Sequence, residues 1–349
     1  MLGGIYMTIS DILTLILTLP QNEQETLKTL FLNNTSKVLK IEQLVSEQRF
    51  THGVVCPICG SVGHASRNGH RKDGKQRYIC KDCGKSFVSN TNSITSGTRK
   101  DYAIWKAYIQ CMVNGLSVRK TAELCDIHRN TAFIWRHKIL DALNKVYEST
   151  KLEGIVEADE TFFSVSFKGN HKKSMFVMPR KSRKRGKPVH VRGLSYEKVC
   201  VPCAIDRTGN AFSKIATLGR VKTKDLHSVY DGKFQPDTTL CTDKMNAYVR
   251  FANSSNLELV QLKSGKEKKG IFNIQHINAY HSKLKGFLRP FNGVSTKYLN
   301  NYLIWQNWIN QKPGSNNDKV DTLLKTACST IANIKCNSLS NRPVIPIAS

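Results

Sequence analysis

Apolar and polar positions recur along this chain in two rhythms, and the change between them divides it. Tyr102, Trp105, Tyr108, Ile109 and Met112 repeat every three or four residues, the period of a buried helix face. Asn114-Gly115 ends that pattern, and Ser117 is a good N-cap for a second, short helix over residues 118–125. Asp126-Ile127-His128 makes a turn, and a third helix is predicted from about Arg129 into Asn144. From about Leu152 the period falls to two. Gly154-Ile-Val-Glu-Ala-Asp-Glu-Thr-Phe-Phe reads as a strand with Glu157 and Asp159 on one face and Glu160 on the other. Residues 198–206 and 211–217 flank Arg207-Thr-Gly-Asn210 and read as a β-hairpin. A helix over 223–230, a strand over 238–242 delivering Asp243, a helix over 246–252 and a strand over 257–262 follow. A last well-marked helix starts near Gln275 and stops before Pro290. Strand, strand, strand, helix, strand, helix, strand, helix is the order of an RNase H-like fold, a mixed sheet with helices on both faces.

Charge narrows the partner. The chain has 349 residues, with 53 Lys and Arg against 26 Asp and Glu, a net charge of +27. A hydrophobic content of 40% allows a folded core, and the length suggests two or three units. So large an excess points to a polyanion, nucleic acid first and an anionic membrane surface second. A spanning helix would need roughly 18–20 apolar residues, and no stretch approaches that. The longest apolar patch, residues 12–19, is broken by Thr14 and Thr18 and reads as a short amphipathic helix. The first seven residues carry no Lys or Arg, unlike a signal peptide. A cytoplasmic protein, without a membrane partner, is expected.

Four of the 11 cysteines form two pairs, Cys56-Pro-Ile-Cys59 and Cys80-Lys-Asp-Cys83, with 20 residues between them. That spacing fits a tetrahedral zinc site, and the glycine after each pair (Gly60, Gly84) relaxes the turn. Disulfides are the alternative, disfavoured in a reducing cytoplasm. Arg67, His70, Arg71, Lys72, Lys75 and Arg77 make the ribbon basic; His64 and His70 are expected to face solvent or phosphate. Cys200 and Cys203 have metal-pair spacing but lie in a strand pattern, and so read as buried thiols.

The helices over 118–125 and from 129 have helix-turn-helix spacing, with Ala122 at the crossing and Ile127 plugging the turn. Arg129, Asn130 and Thr131, with Arg136 further along, are expected to meet DNA. A plain three-helix packing unit is the alternative. The basic stretch from Lys168 to Arg192 is either part of the DNA track or solvated surface.

In the RNase H-like arrangement Asp159 and Asp243 would meet at one region of the sheet, where two carboxylates can hold a pair of Mg²⁺ ions about 4 Å apart. The third ligand in such folds is usually a carboxylate on the final helix. Asn278 stands 35 residues beyond Asp243, and the only carboxylates between Asp243 and Pro290 are Glu258 and Glu267. An amide oxygen is a weaker ligand for a hard cation, so Glu267 stays an alternative. Ser282 and Lys285 follow Asn278 at i+4 and i+7.

The chain resembles an insertion-sequence transposase of the DDE superfamily, in the group with a zinc ribbon before an ISXO-type catalytic domain. The ribbon carries the likeness, with Val156-Glu-Ala-Asp-Glu-Thr-Phe-Phe163, Thr242-Asp-Lys-Met-Asn-Ala-Tyr248 and Ile277-Asn-Ala-Tyr-His-Ser-Lys-Leu-Lys285. Gly293-Val-Ser-Thr-Lys-Tyr-Leu-Asn-Asn-Tyr-Leu-Ile-Trp305 closes it. The resemblance implies a catalytic set of Asp159, Asp243, Asn278 and Lys285, in an Asp-Asp-Asn variant of the commoner triad. It implies catalytic Mg²⁺ or Mn²⁺ beside structural Zn²⁺, and a dimer or higher oligomer on DNA. Its partners would be double-stranded terminal inverted repeats and target DNA, in a prokaryotic cytoplasm and at the nucleoid when bound.

The expected organisation is multidomain α+β. It comprises an N-terminal helical segment (1–50), a zinc ribbon (51–90), a helix-turn-helix domain (100–148), an RNase H-like mixed α/β catalytic domain (152–312) and a C-terminal tail (313–349). The rival function is a non-catalytic DNA-binding regulator derived from a transposase. A resolvase-like nuclease on branched DNA is a further alternative.

Overall fold

In a computed structural model, residues 15, 17–24, 41–169, 195–263, 267–331 and 336–347 are described. The basic stretch from residue 170 to 192 and half of residues 12–19 therefore lie outside the described residues. Helix α1 (Ile41–Arg49) leads into a small antiparallel sheet of β1 (Ala65–His70), β2 (Gln76–Cys80) and β3 (Ser86–Val88), in that order. Two cysteine turns flank it. Gly60 and Gly84 each close a turn by donating to the carbonyls of Cys56 and Cys80, at φ of 82° and 69°, where a Cβ would be strained. This unit has its own core of Cys56, Cys80 and Phe87, with Phe50 and Tyr78 against it.

Helices α2 (Tyr102–Val113), α3 (Val118–Leu124) and α4 (Arg129–Tyr147) follow, capped by Asp101, Ser117 and His128. Ala122 is buried at the α3–α4 crossing, and Asp126 makes the turn at φ 46°. Trp105 of α2 stacks on Trp135 of α4 at 3.6 Å between ring centroids.

The larger sheet is mixed. Strands β4 (Ile155–Ser164), β5 (Lys198–Asp206) and β6 (Ala211–Ser213) run antiparallel. Strands β8 (Thr239–Asp243) and β9 (Glu258–Leu262) run parallel to β4 and β8 respectively, in the order β6-β5-β4-β8-β9. The hairpin's second strand is interrupted. Residues 214–216 leave the ladder and the chain rejoins β5 as β7 (Thr217–Leu218), so the continuous 211–217 strand is corrected to two short ones. Helices α5 (Thr223–Tyr230), α6 (Asn246–Ser254) and α7 (Gln275–Leu288) complete the alternation.

Two further helices are embedded. In α8 (Leu299–Gln311) every residue from Leu299 to Trp308 except Asn300 is buried, and the helix packs against α4, α7 and β6. The Tyr280 hydroxyl of α7 donates to Asn307 Oδ1 of α8 at 2.6 Å and accepts from the Ser213 hydroxyl of β6 at 2.9 Å, fixing α7 over the sheet. Helix α9 (Asn316–Ser329) starts at a Ser315/Asp318 capping box and buries Val320, Leu323, Leu324, Ala327 and Cys328, chiefly against α1 and α2. The stretch expected as a tail thus contributes a core helix. Arg49 joins three segments by donating to the carbonyls of Ser89, Thr91, Asn92, Ser329 and Thr330. Burial lowers its pKa to about 10.

Candidate functional site

The sulfur atoms of Cys56, Cys59, Cys80 and Cys83 all lie within 4.8 Å of one another, with Cys56–Cys83 at 3.8 Å and Cys59–Cys80 at 3.6 Å. Four sulfurs at about 2.3 Å from one tetrahedral ion would sit roughly 3.8 Å apart, whereas a disulfide needs about 2.05 Å. The cluster is therefore compatible with structural zinc. The backbone N–H groups of Cys83 and Asp82 point at the Cys80 sulfur and favour its ligating thiolate. His64 pairs with Asp82 at 3.1 Å, while Arg67, His70, Arg71 and Lys72 are exposed on the β1–β2 hairpin. Cys200 and Cys203 are buried, and burial raises both thiols.

The carboxylates of β4 divide into different roles. Glu157 is 1% exposed, accepts from the backbone N–H groups of His276 (2.8 Å) and Ile277 (3.1 Å), and pairs with Arg207 at 3.0 Å. It anchors the N-terminus of α7, where the unsatisfied N–H groups and the helix dipole favour an anion. Two residues on, Asp159 faces the same side. The parallel register pairs Glu157 with Cys241, and continuing it by two residues sets Asp159 level with Asp243. Asp243 is held at the strand end by accepting from the Met245 N–H at 3.1 Å. Burial raises Asp159 to about 6; the charge of Asp243 adds to that, and Lys285 opposes it.

Helix α7 supplies the opposite wall. Asn278, His281 and Lys285 occupy i, i+3 and i+7 on one face. His281 is buried, with Nδ1 3.8 Å from Asp159 Oδ2 and Nε2 without a partner. Burial, reinforced by Lys285, lowers its pKa to about 4, so the ring is neutral near pH 7. Lys285 is exposed and acts on Asp159 through its charge. Asn278 is exposed on the same face, its carbonyl accepting from Ser282 Oγ, and its amide makes no hydrogen bond to either aspartate. Glu267 accepts instead from the backbone N–H of Lys263 at the end of β9.

Two residues of this region escape a sequence reading. The i+3 spacing from Asn278 could have signalled His281. Glu160 points away from Asp159 along the strand, yet it lines a cavity of about 500 Å³ with Asp243, Arg220, Lys244 and Lys263. Burial, with the charges of Asp159 and Asp243 adding, raises Glu160 to about 8. Asp159 and Asp243 thus crowd each other's charge on the two central strands of the sheet, with Glu160 kept protonated beside them, an arrangement a divalent cation would relieve. The donor set fits such an ion.

On α3 and α4, Arg129 and Asn130 are exposed and Thr131 is half-buried at the start of the helix. Arg136 is a correction. It is fully buried, donates to the Leu116 carbonyl at 2.7 Å and lies 4.8 Å above the Trp305 ring, so it is not presented to DNA from the surface. The cause is tertiary, because the C-terminal part of α4 packs on α8.

The larger sheet is mixed α/β, with Asp159 within β4 and Asp243 at the end of β8. Residues 151–308 match the ISXO2-like transposase domain, which with the relative described next supports an insertion-sequence transposase of the DDE superfamily. An uncharacterized protein in the transposable element ISH50 of Halobacterium salinarum is 26% identical over 295 residues, covering 81% of this chain and 95% of that protein. Two crystal structures, a pre-cleavage Mos1 transpososome and the Mos1 mariner paired end complex with Mn, are each 11% identical. Each comparison covers 63% of this chain and 77% of that one at a TM-score of 0.20, too slight a likeness to bear on fold or mechanism. Among the described residues no helix is long and apolar enough to cross a membrane.

Proposed function

We propose that the protein is a metal-dependent DNA transposase. A zinc ribbon and the α3–α4 helix-turn-helix hold the terminal inverted repeats, and an RNase H-like domain cuts the element ends and joins them to target DNA. The observation that carries this reading is the level placement of Asp159 and Asp243 under the α7 face that presents Asn278, His281 and Lys285. Asp159, Asp243 and the amide oxygen of Asn278 would hold Mg²⁺ or Mn²⁺, which supplies Lewis-acid activation and charge neutralisation for in-line displacement at phosphorus. Lys285 contributes a fixed positive charge where a phosphate must approach two carboxylates. His281, buried and neutral, walls the Asp159 carboxylate on the α7 side and excludes water there. Glu157 holds the start of α7, and so the height of all three side chains above the sheet. Cys56, Cys59, Cys80 and Cys83 would hold Zn²⁺ structurally, and two copies would synapse two DNA ends in the cytoplasm.

The test is incubation of the purified protein with labelled element ends and Mg²⁺ or Mn²⁺. Wild type nicks or cleaves at the ends, and Asp243→Ala does not; cleavage by Asp243→Ala would sink the mechanism. Loss of activity in Glu267→Gln but not in Asn278→Ala would move the third ligand to Glu267. Sequence-specific binding without metal-dependent cleavage would favour the regulator.

A further inference from the structure

A second cavity lies away from the carboxylates. It is a cleft of about 730 Å³ between the start of α4 and the segment that follows α7. Its lining includes Arg119, Arg129, Lys168 and Lys297, and no carboxylate is among the lining residues. Arg119 and Arg129 are exposed and make no ion pair among the described residues. Lys168 reaches across the cleft to the carbonyls of Asn292 (3.3 Å) and Gly293 (3.0 Å), and Lys297 to that of Ser340 (3.1 Å). These carbonyls orient the two ammonium groups without neutralising them.

The floor of the cleft carries one buried charge, that of Arg136, beside a neutral His137. Arg136 and His137 both line it and both are fully buried. Arg136 keeps two unpartnered N–H groups, Nε and Nη1, and His137 keeps an unpartnered Nε2. Among the described residues the guanidinium is held by the Leu116 carbonyl, the Thr121 hydroxyl and the face of Trp305, with the Tyr108 hydroxyl beside it and no carboxylate paired with it. A buried, uncompensated positive charge with unsatisfied donors is costly, and an anion just outside would relieve it.

Phe133 and Tyr298 form one wall, in edge-to-face contact at 5.3 Å. Cationic rims with aromatic walls suit a nucleic-acid strand, whose phosphates take the charges while its sugars and bases lie on the rings. We infer that this cleft is a binding site for the phosphodiester backbone of the DNA that α4 faces, held by Arg119, Lys168 and Lys297 beside Arg129. The inference rests on the DNA-binding reading proposed above and adds a clamp between the reading helix and the catalytic sheet. Four cations would then act together on phosphates, independent of base sequence.

Fluorescence anisotropy on the full-length, zinc-loaded protein tests this, with labelled duplexes carrying either the element end or a scrambled sequence, across a salt series. Each lost phosphate contact makes the slope of log affinity against log salt shallower by about 0.9 on duplex DNA. Arg119→Gln is therefore expected to reduce the slope by about one such step, and Arg119→Gln/Lys297→Gln by about two. Both variants should weaken the two duplexes by the same factor. Should the double variant fail to fold through loss of the Ser340 contact, Arg119→Gln alone decides, because Arg119 makes no hydrogen bond or ion pair among the described residues. Variants that keep the wild-type slope while wild type binds normally overturn the cleft and leave the transposase reading standing. Wild-type protein with no salt-dependent affinity for either duplex would overturn both.

Discussion

Replacing Glu157 by Gln isolates the residue that seats α7 without touching the candidate catalytic residues. The substitution is nearly isosteric, so no cavity forms. It removes the negative charge that faces Arg207 at 3.0 Å and the N-terminus of α7, and it leaves one acceptor oxygen for the N–H groups of His276 and Ile277. At 1% exposure Glu157 is barely screened by solvent. Hydrogen bonds to charged groups contribute about 1.5–3 kcal/mol each, and a charge at a helix terminus up to about 2 kcal/mol. With one acceptor retained, the net cost is about 2–4 kcal/mol, or a fall in Tm of roughly 4–8 °C at about 2 °C per kcal/mol for a chain of this size. Differential scanning fluorimetry measures it, and the same protein is assayed for metal-dependent cleavage well below its Tm. Because α7 carries Asn278, His281 and Lys285, loosening its seat should slow cleavage about 10–100-fold. In a double-mutant cycle, Arg207→Ala should cost less in the Glu157→Gln background than in wild type. Lost cleavage at unchanged Tm would refute the argument, since Glu157 would then act on the chemistry and not through the helix.

The cysteine unit has too few apolar residues to stand without its ion, so a strong zinc chelator should open residues 51–90 to protease while the α/β core stays resistant; resistance of both would count against a structural metal. His137 should contribute an acid limb to stability. Burial lowers its pKa from 6.5 to about 3, so the stabilisation is fully present above pH 6.5. It is lost as pH falls from there to about 3, at no more than about 1.4 kcal/mol for each step of one in pH. A His137→Phe protein should therefore lose less Tm than wild type between pH 7 and pH 4, and equal losses would contradict the burial argument. Arg136→Met should alter the Tm yet leave the preference for the element end over scrambled duplex unchanged, as measured by anisotropy; a changed preference would restore Arg136 to the reading surface.

Much of the sheet region was legible because its signals are local. The 3–4 spacing of α7, its stop before Pro290 and the span of β5 follow from neighbours along the chain. Asp159 and Asp243 were legible as a pair because each lies on or at the end of a strand, and the parallel register then levels them. What failed depended on distant partners. Arg136 sits on a helical face that looks like a continuation of Arg129, but Trp305 and Leu116 claim it. Nothing near Arg49 in sequence announces that five carbonyls from residues 89–92 and 329–330 converge on it. Helix α9 is a different case, since Ser315-x-x-Asp318 and the spacing of Val320, Leu323, Leu324 and Ala327 were readable as a capped amphipathic helix.

Under the proposed function, the burial of Arg136 bears on how reading and cutting would be coupled. Helix α4 extends over Arg129–Tyr147, longer than its exposed start needs, and its remaining length is built into the core that also holds α8 and the sheet. Trp135 stacks on Trp105, Arg136 lies over Trp305, and Tyr147 stacks on Phe212 of β6. Asn301 of α8 ties His137 to Asp141, and Arg342 pairs with Asp141. A helix fixed at so many points cannot swing on a linker. If its first turn meets DNA, the vector from Arg129 to Asp159 is set by side-chain packing, so the offset between the sequence read and the phosphate reached is a property of the fold. A flexible tether would let that offset vary with linker length; a packed helix makes it change only when the core does.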